Sequence, residues 1–405
     1  MSEQTPHALT IPEVLREVFQ YLESDRKALY SASRVNRTWA EECLNVLWHH
    51  ITVNGAKLLA SIPTQRRQFY ADKIRCWTLD MSSTDHQDEI CDLDFPRLRR
   101  VDLWLTKDNW RYDHQLVPTL EDFRLHDTSK KAEYILWELP DCCPNLRKLC
   151  VRSDQLDFDG LEGYLKEFSK LRALDLTGMS DDTVTDEVFC HLASLPLHEL
   201  RMKKPITSEM VDLACQRLGS DNLLPELHYL EAGMEWCVAA RLLPNMTMLR
   251  ELRLDLVSSD TNHKSFQAIG TLTELRELHL KLAYQPEKIL SREEVLAIGQ
   301  LHKLRDVEIL GGSLIFDELV TDDDLVIFFS SFPEVENIYV DAFNTNIIPS
   351  PAMIALATTS TRLRHYVFKA ILDVDFAESS TPPLFPELRS MQYQHLLYWD
   401  ISVEG

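Results

Sequence analysis

The chain has reactive side chains, but their spacing assembles no familiar reaction centre. His49 and His50 could offer two nitrogens to a metal, yet the pair falls where a helix closes and reads as a junction pair. Asp322-Asp323-Asp324 could open a calcium loop, but the glycine and distal glutamate of such a loop are missing. Acids at the start of a helix account for the run, and Asp181-Asp182 after Ser180 follows the same logic. No H-E-x-x-H, G-x-x-x-x-G-K-S/T, G-x-S-x-G or G-x-G-x-x-G occurs. The nine cysteines include no C-x-x-C, and the adjacent Cys142-Cys143 suits no disulfide. Cys150, Cys190 and Cys215 read as small core residues. The expectation is a chain with no catalytic residues, no metal and no cofactor, its cysteines reduced. The chemistry that remains is binding chemistry. Trp104, Arg124, His126 and Arg152 are of types that dominate interface energies, and Trp104, His126 and Arg152 recur at nearly even intervals.

That interval belongs to a repeat. A Leu-x-x-Leu-x-Leu phrase, with conservative swaps, begins at Leu98, Leu120, Leu146, Leu171, Leu197, Leu227, Leu249, Leu275, Leu304, Val335, Leu363 and Leu388. A weaker copy begins at Ile74. The mean step is about 26 residues, within the leucine-rich-repeat range. One such unit cannot bury its own apolar face, so neighbours must stack and share a core. The first, fourth and sixth positions predict a strand facing the core; the third, fifth and seventh face solvent. Between phrases, Ser291-Arg292-Glu293-Glu294 reads as a capping box, and Thr321-Asp322-Asp323-Asp324 starts another helix. The sequence therefore predicts an α/β repeat: a curved solenoid over residues 74–400, with a parallel sheet lining the concave side and helices outside.

The outward positions include Arg100, Asp102, Trp104, Asp122, Arg124, His126, Lys148, Cys150 and Arg152, then Arg201, Lys203, Tyr229, Glu231, Arg253 and His279. Trp104, Arg124, His126, Arg152, Arg201, Lys203 and Arg253 are the candidate substrate contacts. The signs are mixed, and they name no substrate. The formal net charge is −22, which argues against nucleic-acid binding. No apolar run is long enough to span a membrane, and Met1 to His7 lack the marks of a secretory signal. An intracellular protein, cytoplasmic or nuclear, is expected. The sequons at Asn36 and Asn245 are read as chance.

Residues 9–51 do not follow the repeat. Ile11, Leu15, Val18, Phe19 and Leu22 share one helical face. Thr10 is placed to cap this helix with Glu13 as return donor, Leu9 and Val14 to staple it, and Pro12 lies in the first turn. A second stripe runs Leu29, Ala32, Val35, Trp39, and a third Cys43, Leu44, Leu47, Trp48. Residues 52–73 read as a helical junction, a short helix stopped by Pro63 and another with Phe69 and Ile74 facing inward. Residues 1–8 and 401–405 read as tails.

The order Ile11-Pro12-x-Val14-Leu15, Val18-Phe19-x-x-Leu22, Leu29-Tyr30-x-Ala32-Ser33-x-Val35-Asn36-Arg37-x-Trp39 and Leu47-Trp48 resembles an F-box. The wording from Ser33 to Trp39 is most similar to fungal members of that family. The resemblance covers about 40 residues. It implies a non-catalytic substrate receptor of a Skp–cullin–F-box ubiquitin ligase, the module docking on the Skp adaptor and, through it, a cullin. Positions matching the family's docking motif are Ile11, Pro12, Val14, Leu15, Val18, Phe19, Leu22, Leu29, Val35 and Trp39. Some must also form the module's own core. The alternative is a leucine-rich-repeat scaffold or regulatory binder whose first helices only cap the array.

Overall fold

The computed structural model describes residues 9, 11–80, 89–105, 115–127, 132–153, 158, 160–219, 223–257, 265–282, 288–343, 347–373 and 385–397. The chain divides into two compact units, residues 1–171 with 178–183, and residues 172–177 with 184–405.

The first unit opens with three helices, α1 (Pro12–Gln20), α2 (Arg26–Ala32) and α3 (Arg37–Leu47). Pro12 stands in the first turn of α1, where a missing N–H costs nothing. Ile11, not Thr10, is its capping residue and supplies no side-chain cap; Thr10 lies outside the described residues. The other two starts are capped from the side chain, Asp25 accepting from Ala28 N and Asn36 from Trp39 N. Asn36 is thereby committed to the backbone. The second apolar stripe is broken by this cap: Val35 falls in the turn before α3, and Trp39 belongs to α3.

After α3, a two-residue strand β1 (His50–Ile51) pairs in parallel with β2 (Cys76–Asp80). The sheet thus begins one step before the first apolar phrase. Between them run α4 (Val53–Ser61) and α5 (Thr64–Ala71). Ile74 is sealed, but Phe69 on α5 is not. Its ring is about half exposed, with the Lys73 ammonium 4.6 Å from the ring centre. A charged neighbour over the ring's π face, not burial in the core, holds this aromatic. Trp48 packs on Tyr70 at 4.8 Å between ring centres, tying the end of α3 to α5. Strands β3 (Arg100–Leu105), β4 (Asp122–Asp127) and β5 (Lys148–Arg152) continue the parallel sheet, with α6 (Ala132–Cys142) and α7 (Leu161–Lys166) among the connections.

The second unit repeats the scheme. Strands β6 (Ala173–Gly178), β7 (Glu199–Met202), β8 (Tyr229–Met234), β9 (Glu251–Leu256) and β10 (Glu277–Leu282) pair in sequence, all parallel. Helices α8 (Asp186–Ser194), α9 (Ser208–Leu218), α10 (Trp236–Leu242) and α11 (Ser265–Ile269) lie between them. Past β10 the order becomes irregular. A short β11 (Lys288–Leu290) and α12 (Arg292–Ile298) precede β12 (Asp306–Phe316), an eleven-residue strand. The first half of β12 pairs β10 and its far end pairs β11. Then come α13 (Asp322–Ser330), β13 (Asn337–Phe343), β14 (Ile347–Ile348), α14 (Ser350–Thr359), β15 (His365–Asp373) and β16 (Ser390–Leu397).

One backbone joint recurs at these steps. The amides of the second and third phrase residues both donate to the carbonyl of the second residue of the phrase before. Arg99 and Arg100 donate to Arg75 O, Glu121 and Asp122 to Arg99 O, Arg276 and Glu277 to Arg250 O. The same joint ties Arg75 and Cys76 to His49 O. Stacking thereby satisfies polar groups that would otherwise be buried unpaired. Inward residues seal as expected, Val101, Leu103, Phe123, Leu125, Leu252 and Leu254 all being buried. Several outward positions are exceptions, Ala173, Asp175 and Gly233 among them. Cys150 and Tyr229 are buried as well, Tyr229 beneath the Arg201 guanidinium.

The helix starts also behave as read. Ser291 and Glu294 form a capping box, as do Thr321 and Asp324. Arg292 reaches from α12 to Asp324 with two N–H···O contacts of 2.9 Å. Arg292, then the Thr321 amide and hydroxyl, hold the Asp324 carboxyl well below its ordinary 3.8. A depressed carboxyl adds stability above its unfolded value and loses it on acidification. The Asp324→Asn variant therefore gives a shallower loss of stability as pH falls below 3.8 than the parent chain does. Denaturant melts across that range check this, and parallel curves would contradict it.

One repeat seals badly. Val307 and Ile309 are the only fourth and sixth phrase residues, among those described, that stay partly exposed. They line an apolar cavity of about 80 Å³ with Leu290, Leu314, Phe316 and Phe329. The bulge between Leu310 and Ser313 and the added β11 space the walls apart. Filling the void with Val307→Phe should stabilise the chain by about 0.5–2 kcal/mol. Leu252→Phe, in a sealed repeat, should cost about 1–3 kcal/mol. Equal effects of the two on thermal unfolding would show that the void is not there.

Candidate docking surfaces

The three-helix module divides its apolar residues between two tasks. Leu15, Phe19, Leu29, Cys43 and Val46 form its core, with Leu22, Ala32, Trp39 and Leu47 packed against it. Phe19 meets Trp39 edge-on at 5.4 Å, and the Trp39 indole N–H donates to Leu9 O. Of the ten residues expected to dock a partner, Leu15, Phe19 and Leu29 therefore have no outward surface. Their burial is worth roughly 1.5–3 kcal/mol each to the module. Ile11, Val14, Leu22 and Trp39 are partly covered. Leu9 is 41% exposed.

The outward apolar surface comes from other positions. Val18 is 41% exposed, Val35 58%, Tyr30 63% and Tyr21 88%, and Pro12 is exposed too. Tyr21 and Tyr30 are not among the ten positions that match the docking motif. Tyr21 sits two places after the buried Phe19, and Tyr30 one place after the buried Leu29. A large aromatic that cannot reach the core is a hot-spot type left at the surface.

A polar brace holds these helices. Glu42 on α3 is nearly buried and accepts from Arg16 Nε at 3.1 Å, Arg16 Nη2 at 3.3 Å and Asn45 Nδ2 at 3.2 Å. Asn45 Oδ1 in turn accepts from Lys73 Nζ at 2.9 Å. Burial pulls the Lys73 ammonium below its usual range, with Glu41 and Glu42 pulling the other way. The chain links α1, α3 and Lys73, between α5 and β2, through paired groups, since an unpaired buried charge would be costly.

The open face of the first unit carries the second candidate. The parallel register aligns Trp104, His126 and Arg152 in one row and Asp102, Arg124 and Cys150 in the next. Trp104 and His126 stack at 3.9 Å with planes 7° apart. His126 Nε2 lies 3.4 Å from Asp102 Oδ1, and Arg124 pairs with Asp122 at 3.3 Å. Burial works against charge on Asp102, but His126, Arg124 and Arg100 outweigh it and hold the carboxyl below its usual value. The four residues grouped from sequence are brought together here. Their partners are as much one another as solvent.

In the second unit, Arg201 and Arg253 flank Tyr229, with guanidinium carbons 4.4 and 5.9 Å from the ring centre. The Tyr229 hydroxyl donates to Glu231 Oε2 at 2.7 Å, and burial first, then Glu231, pushes its pKa up. Arg201 approaches Glu231 at 3.8 Å and Arg253 approaches Glu277 at 3.7 Å. Lys203 is exposed. Among the described residues no group of histidine, cysteine or acidic side chains could hold a metal. None of the described helices is long and apolar enough to cross a membrane.

Residues 12–54 match the F-box-like family. No curated protein sequence matches the chain. Among solved structures, the chain is similar to a leucine-rich-repeat protein of Leptospira interrogans, at 15% identity over 79% of this chain and 87% of that one, with a TM-score of 0.39. It is also similar to the yeast complex of Rad7 and Elc1, at 13% identity over 94% of this chain and 92% of that one, with a TM-score of 0.45. At these TM-scores the two likenesses decide nothing about function. The chain is thus an F-box-like helical region followed by parallel strands and helices of leucine-rich-repeat type.

Removing the imidazole in His126→Ala leaves burial less opposed at Asp102. Its carboxyl should titrate at higher pH than in the parent chain, followed by carbon-detected NMR of the labelled side chain. An unmoved titration would mean that the 3.4 Å contact does not exist in solution.

Proposed function

We propose that this chain is a substrate-recognition subunit of a Skp–cullin–F-box ubiquitin ligase. The observation that carries the reading is the F-box-like match over residues 12–54 on a module whose Val18, Tyr21, Tyr30 and Val35 remain outside its core. These residues, with Pro12 and the partly covered Ile11 and Val14, would dock on a Skp-type adaptor, which links the chain to a cullin. The open sheet face would hold a protein substrate, Trp104 with His126 and Arg152 in one unit and Arg201 with Tyr229 and Arg253 in the other. The chain itself performs no chemistry. It converts a bimolecular ubiquitin transfer into a local one by tethering both parties. On this reading the chain works inside the cell.

The division between core and surface shapes the test. A charge at Leu15 or Phe19 would unfold the module and prove nothing. Val18→Asp with Val35→Asp leaves the core untouched and should weaken capture of a recombinant Skp-type adaptor at least about tenfold, the effect of losing roughly 1.4 kcal/mol of binding. Helical circular dichroism should be unchanged. Undiminished capture by a folded double variant would refute the docking assignment and favour a non-ligase repeat scaffold.

A further inference from the structure

The edge of the first unit where its strands begin carries a feature that the substrate face does not use. Second phrase residues lie side by side there, because each accepts the backbone joint of the next: Arg99 N to Arg75 O, Glu121 N to Arg99 O and Arg147 N to Glu121 O, each 2.8 Å. Arg75, Arg99, Glu121 and Arg147 thus form one row, and Arg97 stands beside it in the loop before β3. Together with Asn145 they line an open groove of about 400 Å³. Four guanidinium groups face one carboxylate. Among the described residues, Glu121 pairs with Arg99 alone, at 3.3 Å. Among the described residues, Arg75, Arg97 and Arg147 have no carboxylate partner. Lys170 Nζ, 2.5 Å from Asn145 Oδ1, adds a further positive charge at the rim.

This concentration of positive charge stands out in a chain whose formal net charge is −22. Arginine forks match the two oxygens of a carboxylate or phosphate. The row crosses three strand steps of about 4.8 Å, roughly 14 Å, which an extended peptide covers in about four residues. Extended polyanions such as a nucleic acid or an anionic membrane would meet the negative field of the rest of the chain. A short segment lying within the groove would not.

We propose that this arginine row is a docking groove for a short acidic segment of a partner protein, about four residues long, whose oxyanions are carboxylates or phosphates. Arg99 and Arg147 are the two prongs on either side of Glu121. Glu121, between them, competes with the incoming anion for Arg99 and sets a ceiling on affinity.

The test uses the full chain and three fluorescein-labelled peptides with a common Gly-Ser frame. Their central four residues are all glutamate, all phosphoserine or all glutamine. Anisotropy titrations should show the glutamate or phosphoserine peptide binding at least tenfold more tightly than the glutamine one. The tighter of the two acidic peptides identifies the oxyanion. Arg99→Ala with Arg147→Ala should bring binding down to the glutamine level without moving the thermal midpoint. Glu121→Gln should tighten it. Raised salt should weaken it. Equal binding of all three peptides, or a double variant that binds as the parent does, would overturn the proposal. So would displacement of the acidic peptide by phosphatidylserine vesicles or a single-stranded oligonucleotide at equal charge. The Val18→Asp, Val35→Asp variant should keep its peptide binding, so this groove and the adaptor reading fail separately.

Discussion

No repeat in this chain can seal its leucines without the next one, and the shared carbonyl joint sets the spacing at which they meet. Within each unit, two amides of a phrase converge on one carbonyl of the phrase before. That fixes the register, and the register fixes everything displayed on the sheet. Side chains at equivalent phrase positions fall into rows: the apolar ones toward the helices, the polar and aromatic ones outward, and the second-position residues along the edge. Trp104 meets His126, and Arg99 lies beside Arg75, because the backbone leaves them no other neighbour.

The helical module obeys a different constraint. Its core of Leu15, Phe19, Leu29, Cys43 and Val46 is small, near the lower limit of what folds unaided. It gains support from the Glu42–Asn45–Lys73 brace and from Trp48 against Tyr70. With the core so occupied, exposed apolar side chains are surplus to folding. Val18, Tyr21, Tyr30 and Val35 are consistent with a module that expects a second surface.

The repeat was legible because its period survives irregular connections, and the capping boxes at Ser291 and Thr321 because three-residue spacing is local. The division of the module into core and outer face was not legible. Helical periodicity places Leu15, Val18 and Phe19 on one stripe, and only the packing of α1 against α3 separates Val18 from the other two. Phe69 misled for a related reason: an apolar residue on a short helix promises burial, but the ammonium of Lys73 four residues on offered another partner. The cavity beneath Val307 depends on a bulge and an extra strand, features that a phrase such as Leu304 to Ile309 does not encode. Tyr229 sits at an outward position as read, yet is buried where Arg201 and Arg253, from adjacent strands far apart in sequence, fold over its ring.

The claim at the centre of this account is that one set of side chains builds the module while another, outside it, meets the adaptor. Hydrogen–deuterium exchange of the full chain, with and without a Skp-type adaptor, reads this most directly. The account predicts added protection over residues 12–35, with the strands from Arg100 onward exchanging as before. Protection that appears on the strands, or none anywhere at saturating adaptor, would contradict it.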